Sequence, residues 1–428
     1  MHYDVEIPEM TSCDVLVCGA GPSGIAAAVS AARQGLDTVL LERYGSVGGC
    51  LTMANVTTLM GSATPGGIWQ EVMRLLEAPD GGTAVDPESA KGRLLDLVTE
   101  AGVRLYLQTP IVDAICRDGA AEGVVALTQE GPAAVRARRV IDATGDGYVA
   151  ARAGGEVMIG REEDGLVQPV SLMYHIEGVD PACTLVCRHE EDDTLLPGGE
   201  SYLSLCARAA RNGELPPHVT IVRLYPCLKR GEYLVNATQL GGVRTLENGD
   251  LTRAESALRS QMEQVNAFLR AHVPGFNQAR TRISASTLGV RESRRMRGRY
   301  VLEAEDVLTG SRFSDAVVHR ANFPIDIHNP TGGGQAEREG IPYQAQDYDI
   351  PLRCLQPLGV GHLVLCGRNI SGTHRAHASY RVMCIAMAVG QAAAMTAKAS
   401  LDAGVDVAQV DPAAVQRLLT ECGCDLWG

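Results

Sequence analysis

Apolar residues run unbroken through Val15-Leu16-Val17-Cys18, give way to Gly19, Gly21 and Gly24, and return as an alanine-rich run that ends near Gln34. A second apolar run, Val39-Leu40-Leu41, closes on Glu42. Short continuous apolar runs bounded by turn residues predict buried parallel strands, and the alanine-rich run between them predicts a helix over 25–34. The order strand, G-x-G-x-x-G turn, helix, strand, acid is that of a dinucleotide-binding βαβ unit. Gly19 permits the tight turn, Gly21 lets the backbone approach a pyrophosphate, and Gly24 lets the helix pack closely on the strand. Phosphates would then sit on free N–H groups at the positive end of the helix. Glu42, 23 residues after Gly19, stands where an acid takes ribose hydroxyls.

Beyond this unit, residues 45–67 form a glycine- and threonine-rich segment expected to run along the cofactor. Helices are predicted at 68–76 and 88–101. The period then shortens: 103–107, 111–116, 123–127 and 134–138 read as strands between turn residues, and 140–147 as a strand ending in a glycine turn. From 156 to 345 the pattern is mixed, with the clearest helix at 256–273 and strand-like runs at 167–176 and 233–237. Residues 329–346, rich in Pro, Gly and charge, predict a surface loop or lid. A late strand at 362–367 and a long helix at 381–400 look like further parts of the cofactor domain. The expected organisation is therefore a discontinuous domain of residues 1–155 and 346–428, with residues 156–345 inserted as a second, substrate domain.

With 428 residues, 45% apolar and 21% charged, the chain has the makings of two ordered globular domains. A net charge of −13 argues against a nucleic-acid partner. No apolar run reaches the length that spans a bilayer, and the first residues lack the basic and apolar regions of a signal peptide, so a cytoplasmic location without membrane attachment is expected. The 13 cysteines show no C-x-x-C pair and no zinc spacing, which predicts buried apolar thiols rather than disulfides or a metal site. Cys422-Gly423-Cys424 reads as part of a mobile tail.

Three more blocks accompany the opening unit: Glu42-Arg43 leading to Gly48-Gly49, the run Ala143-Thr144-Gly145-Asp146, and Cys366-Gly367-Arg368-Asn369-Ile370-Ser371-Gly372. With these, and with Gly289-Val290-Arg291-Glu292-Ser293-Arg294-Arg295, Asp326-Ile327-His328, Ile350-Pro351-Leu352-Arg353 and residues 367–391, most of the chain resembles the FAD-dependent oxidoreductase family of the glutathione-reductase-like flavoprotein superfamily. The resemblance implies an α/β fold, in which a Rossmann-like FAD-binding domain of parallel sheet plus β-meander carries an inserted α+β substrate domain. It implies FAD as cofactor. Gly19, Gly21, Pro22, Ser23 and Gly24 would hold the pyrophosphate, Glu42 with Arg43 the adenosine ribose, and the Val112 backbone the adenine. Gly48, Gly49 and Cys50 would flank the flavin. Ala143, Gly145, Asp146, Arg368 and Ile370 would line the cofactor, and N–H groups near Arg381, Val382 and Met383 would face the flavin N1 and O2 edge. One departure stands out: many superfamily members carry an acid where this chain has Arg368.

The absence of a second G-x-G-x-x-G argues against a separate NADPH domain. Cys50 has no second cysteine within 51–61, so a dithiol mechanism lacks its partner. A thiol that touches the flavin or carries it covalently stays open. On the substrate side, His374, Arg375 and His377 lie between a cofactor strand and a cofactor helix, where imidazole and guanidinium groups could move protons and orient an anion. Arg291 and His328 are the other catalytic candidates, whereas His175 and His189 read as structural or exposed. The expected activity is oxidation or dehydrogenation of a small organic molecule, with an unspecified electron acceptor and with self-association left open. A flavin-binding protein without turnover and a nicotinamide-only dehydrogenase are the alternatives.

Overall fold

The computed structural model describes residues 6–77, 84–183, 185–188, 192–332 and 341–426. Strand β1 (Glu9–Cys18), helix α1 (Pro22–Arg33) and strand β2 (Thr38–Leu41) form the opening unit, β1 and β2 pairing in parallel with Cys18 opposite Leu41. Helix α2 (Ile68–Leu75) follows, and then α3 (Pro87–Glu100), which begins where the Asp86 side chain accepts from the N–H groups of Glu88 and Ser89. Strand β3 (Arg104–Tyr106) extends the sheet beyond β2.

Strands β4 (Ile111–Arg117), β5 (Ala120–Thr128) and β6 (Gly131–Asp142) make an antiparallel meander. Sequence pattern divides β6 at Arg139, yet the strand is continuous. Arg139 is buried because its guanidinium donates to Ser400 Oγ and to the Val405 carbonyl, each at 2.7 Å, so the charge need not reach solvent.

The middle of the chain starts with α4 (Tyr148–Arg152) and β7 (Val157–Ile159). It then builds a second core from β8 (Tyr174–Glu177), α5 (Tyr202–Arg211), β9 (Arg223–Pro226), β10 (Tyr233–Asn236), α6 (Asn248–His272) and β11 (Arg280–Ser284). Its sheet order is β11-β8-β10-β9, all antiparallel. The run expected as a strand at 167–176 is regular only in β8. Val170 and Ser171 make single bridges to Leu240 and Gly289 instead.

Strand β12 (Arg294–Met296) returns to pair with β7, and α7 (Ala304–Thr309) leads to the antiparallel pair β13 (Ala316–Ala321) and β14 (Tyr348–Pro351). Met296, Leu302, Val307, Val317 and Ile327 pack in the core of the first sheet, whereas the second core runs from Val170 to Leu288. Packing thus changes hands near residue 290, earlier than the boundary expected at 345. Of the loop expected at 329–346, residues 333–340 lie outside the described residues.

Strand β15 (Leu363–Leu365) pairs in parallel with the last residues of β6, placing Leu365 opposite Asp142. A short helix α8 (His374–Tyr380) precedes α9 (Met383–Ala403), and α10 (Pro412–Glu421) closes the fold. Helix α9 is the one described helix apolar and long enough to cross a membrane, and it is buried in the core. It crosses α1 at close range: a Cβ on Gly390 would stand 2.2 Å from the Ser23 carbonyl. The segment expected as a mobile tail is packed, with Cys424 buried and Gly66 tight against the Gly423 carbonyl.

Candidate active site

The registers of β1, β2, β6 and β15 bring Cys18, Leu41, Asp142 and Leu365 to one edge of the sheet. The loops that follow these four residues therefore meet outside the carboxyl ends of parallel strands, the place where open α/β sheets bind ligands. A cavity of about 710 Å³ runs along them. It starts at Gly19, Gly21, Pro22 and Ser23, passes Glu42, Arg43, Ala143, Gly145, Asp146 and Arg368, and reaches Gly49, Cys50, Arg381 and Met383. Residues far apart in sequence thus share one cleft.

The glycine turn is built as its spacing predicts. A Cβ on Gly19, whose φ is +100°, would stand 2.7 Å from the Ala143 carbonyl, and one on Gly24 would stand 1.8 Å from the Gly19 carbonyl. At Gly21 a Cβ would meet no protein atom within 4 Å. Its bare face belongs to the cavity. Glu42 is buried, accepting from the Ala20 N–H at 2.7 Å and the Tyr44 N–H at 2.9 Å. Burial pushes its carboxyl up from the ordinary value, against those backbone donors. Gly48 supports the turn from behind, its N–H donating to the Ala20 carbonyl at 2.8 Å.

Arg368 pairs with an acid on the cavity wall. Its Nη2 lies 2.7 Å from Asp146 Oδ1, which also accepts from Ser293 Oγ at 2.6 Å. Burial works to raise the Asp146 carboxyl, but Arg368 and the Ser293 hydroxyl hold it below the ordinary range. Arg294 joins the wall, donating to the Asp146 carbonyl at 2.9 Å with its guanidinium over the Tyr148 ring.

Several expected contacts are displaced. The lining passes through Thr109, Pro110 and Ile111 rather than Val112, whose carbonyl takes the Tyr148 hydroxyl at 2.9 Å. Ile370 is buried away from the cavity, accepting from the Tyr380 hydroxyl, and Val382 packs on Gly61. Helix α9 starts at Met383 with Val382 as its N-cap and no side-chain cap, and the Cys384 N–H donates to the Met60 carbonyl at 3.4 Å.

The catalytic candidates separate into two groups. None of the five, His374, Arg375, His377, Arg291 or His328, lines the cavity itself. His374 Nδ1 lies 2.9 Å from Glu292 Oε1, in a buried network where Arg295 also donates to Glu292 and Glu292 Oε2 accepts from the Gln168 N–H at 3.0 Å. His377 is buried edge-on to Tyr380, and burial, followed by the nearby Arg295 charge, pushes its imidazole far below the ordinary value. Arg375 reaches the other way, to the Pro342 carbonyl at 3.0 Å.

Arg291, His328 and Arg381 form the other group around Asp326. Arg381 Nη2 is 3.0 Å and His328 Nε2 3.6 Å from Asp326 Oδ2, and Arg291 donates to the Pro169 carbonyl at 2.8 Å. Burial first, then the Arg291 charge, push His328 down to about 4. Burial and the Arg381 charge bring Arg291 down to about 9. At neutral pH the pair is a neutral imidazole beside a cationic guanidinium.

Sequence reading missed the second core's share of the wall. Thr245, Asn248, Leu251, Glu255 and Ser286 to Leu288, with Val290, face the same cavity, and Tyr44 bonds across to Thr287 at 3.3 Å. His175, read as structural, is buried between Thr57 Oγ1 at 3.0 Å and Cys227 Sγ at 3.4 Å. His189 lies outside the described residues. The cysteines are free, and most are buried.

A family model described as FAD dependent oxidoreductase matches residues 14–419. The chain is 32% identical over 135 residues to the digeranylgeranylglycerophospholipid reductase of Methanothrix thermoacetophila, a stretch covering 27% of this chain and 34% of that one. It is 32% identical over 156 residues to the thiamine thiazole synthase of Methanothermobacter thermautotrophicus, covering 33% and 60%. The match therefore spans less than two thirds of either relative. Among solved structures, a geranylgeranyl bacteriochlorophyll reductase-like protein of Thermoplasma acidophilum aligns at 15% identity and TM-score 0.44, covering 96% of this chain and 83% of that one. A flavin-dependent brominase aligns at 13% and 0.48, covering 96% and 84%.

Proposed function

The chain belongs to the FAD dependent oxidoreductase family, and from that premise we propose that it oxidises or dehydrogenates a small organic substrate, with hydride passing to N5 of the flavin. FAD is the cofactor the family model implies, and the residues present fit it. Gly21 leaves a bare face on the cavity beside the open end of α1, which suits a pyrophosphate. Met383, in the first turn of α9, stands at the far end, where the positive end of the helix suits a ring edge that becomes negative on reduction. When bound, FAD supplies the two-electron acceptor.

One observation carries the reading: a single cavity joins the glycine turn to Arg381 and Met383 and is walled by Leu288 and Val290 from beside the second core. A reacting centre there would lie between two cores, where charges act more strongly than in bulk water. We assign the core from Val170 to Leu288 as the substrate cover, and the sheet, meander and α9 as a cofactor domain of the glutathione-reductase-like kind. In this assignment His328 accepts the substrate proton. It is neutral, and Asp326 beside it can stabilise the imidazolium that forms. His374 and His377 then act as supports of the wall.

The test is anaerobic. Holoprotein mixed with pools of alcohols, amines and hydroxy or amino acids should show bleaching of the flavin band with at least one class. Conversion of His328→Gln should shift the pH dependence of bleaching while FAD content stays constant. Flavin that dithionite bleaches but no pool reduces would favour a binding protein without turnover.

A further inference from the structure

Next to the cavity's far end, two half-buried guanidiniums gather around Asp326 with buried donors left over. Arg381, which lines the cavity, spends one nitrogen on Asp326, both on its carboxylate at 3.0 Å and on its carbonyl at 3.1 Å. Its Nε is buried with no acceptor. Arg291, directly after the cavity residue Val290, has a neutral carbonyl, that of Pro169, as its hydrogen-bond partner. Among the described residues, the Arg291 and Arg381 guanidiniums stand around the Asp326 carboxylate, and the field of Arg223 reaches Arg291 and Asp326 as well.

A second observation points the same way. Gln168 is buried, its Oε1 taking the His328 N–H at 3.2 Å, and its Nε2 has no acceptor. Buried donors without acceptors cost free energy unless a ligand supplies the missing oxygens. An oxidised isoalloxazine can offer carbonyl oxygens but no negative charge. A small anion offers both.

We propose that Arg291, Arg381 and Gln168, held in place by Asp326 and His328, form the docking site for a carboxylate group of the substrate. A planar guanidinium matches a planar carboxylate with two parallel hydrogen bonds better than it matches a tetrahedral phosphate. Burial and the Arg381 charge lower the basicity of Arg291 against the opposing pull of Asp326, and a bound carboxylate would raise it again. This site rests on the flavoenzyme reading above, since it puts the substrate beside the flavin end of the cavity. It places specificity on Arg291 rather than on Arg375, which turns to the Pro342 carbonyl.

The experiment uses FAD-loaded protein titrated with acetate, succinate and inorganic phosphate, read by flavin difference absorbance and by calorimetry. A carboxylate should perturb the flavin band and saturate, with phosphate weaker. Arg291→Gln should weaken carboxylate binding about 10- to 100-fold with unchanged FAD content, and Arg291→Lys, which keeps charge but loses the fork, should fall between. Arg375→Gln should bind as the parent does. Carboxylates that leave both signals unmoved, phosphate that binds more tightly than carboxylate, or Arg291→Gln binding carboxylate as the parent does would each overturn the assignment. Failure of the parent protein to retain FAD would instead remove the flavoenzyme reading.

Discussion

Substituting alanine at two glycines of the same turn should separate folding from cofactor binding. Gly21 has φ −71° and ψ −179°, a conformation open to any residue, and a Cβ there meets no protein atom within 4 Å. Gly21→Ala should therefore leave the apoprotein as stable as the parent or more so, by about 0.4–1 kcal/mol from the stiffer unfolded chain. The added methyl projects into the cavity where the pyrophosphate must approach the backbone. Loss of one charge-assisted hydrogen bond costs about 1.5–3 kcal/mol, which is about a 10- to 100-fold rise in the Kd for FAD. Gly24 is the opposite case. Its Cβ would stand 1.8 Å from the Gly19 carbonyl and 3.1 Å from Ala143 Cβ, so α1 must back away from the turn. Overpacking of this kind costs about 1–3 kcal/mol or more, and the apoprotein should melt earlier. Thermal unfolding of the apoproteins and flavin-fluorescence titration measure the two quantities. A Gly21→Ala protein that binds FAD like the parent, or that loses as much stability as Gly24→Ala, refutes the reasoning.

Other expectations follow from the buried charges. Glu292→Gln removes the carboxylate that Arg295 and His374 share in a fully buried site, and should cost about 3–5 kcal/mol, read as a lower urea midpoint. A midpoint within error of the parent contradicts that network. His175 and His328 are both depressed from 6.5 to about 4, so each is neutral in the native state. Their contribution is complete above pH 6.5 and is lost as pH falls from there toward 4, at up to about 1.4 kcal/mol per pH unit for each. The melting temperature should drop across that window, and a flat profile counts against the burial of these rings. Arg368→Met strips Asp146 of its ion-pair partner on the cavity wall and should weaken FAD retention about tenfold. The exposed pair of Arg297 with Glu156 is the control: Arg297→Met should change neither FAD content nor stability by more than ~1 kcal/mol.

The features readable from sequence were those whose chemistry is local. The glycine turn, Glu42, the second glycine pair and the late strand carry their own signals, since each needs a special backbone conformation or a continuous apolar run within a few residues. The division of labour among polar residues was not readable in that way. His374 and His377 stand between two cofactor elements in sequence, which suggested proton transfer. In the fold, Glu292, some 80 residues away, draws His374 into a buried network with Arg295, and His377 is buried edge-on to Tyr380. Arg294 stands in a run of charged residues, and it reaches the cavity because β12 pairs with β7 and places it beside Asp146. Arg139 interrupted an apolar pattern without interrupting the strand, because Ser400 and Val405 satisfy it from the opposite end of the chain. Each of these depends on a partner distant in sequence.

The most direct measurement is the FAD content of the purified chain, taken as flavin released on denaturation per polypeptide and as bleaching of the bound flavin by dithionite. The account predicts one FAD per chain, as isolated or after reconstitution, with the band lost on two-electron reduction. A colourless, folded protein that takes up no FAD when it is supplied would contradict it.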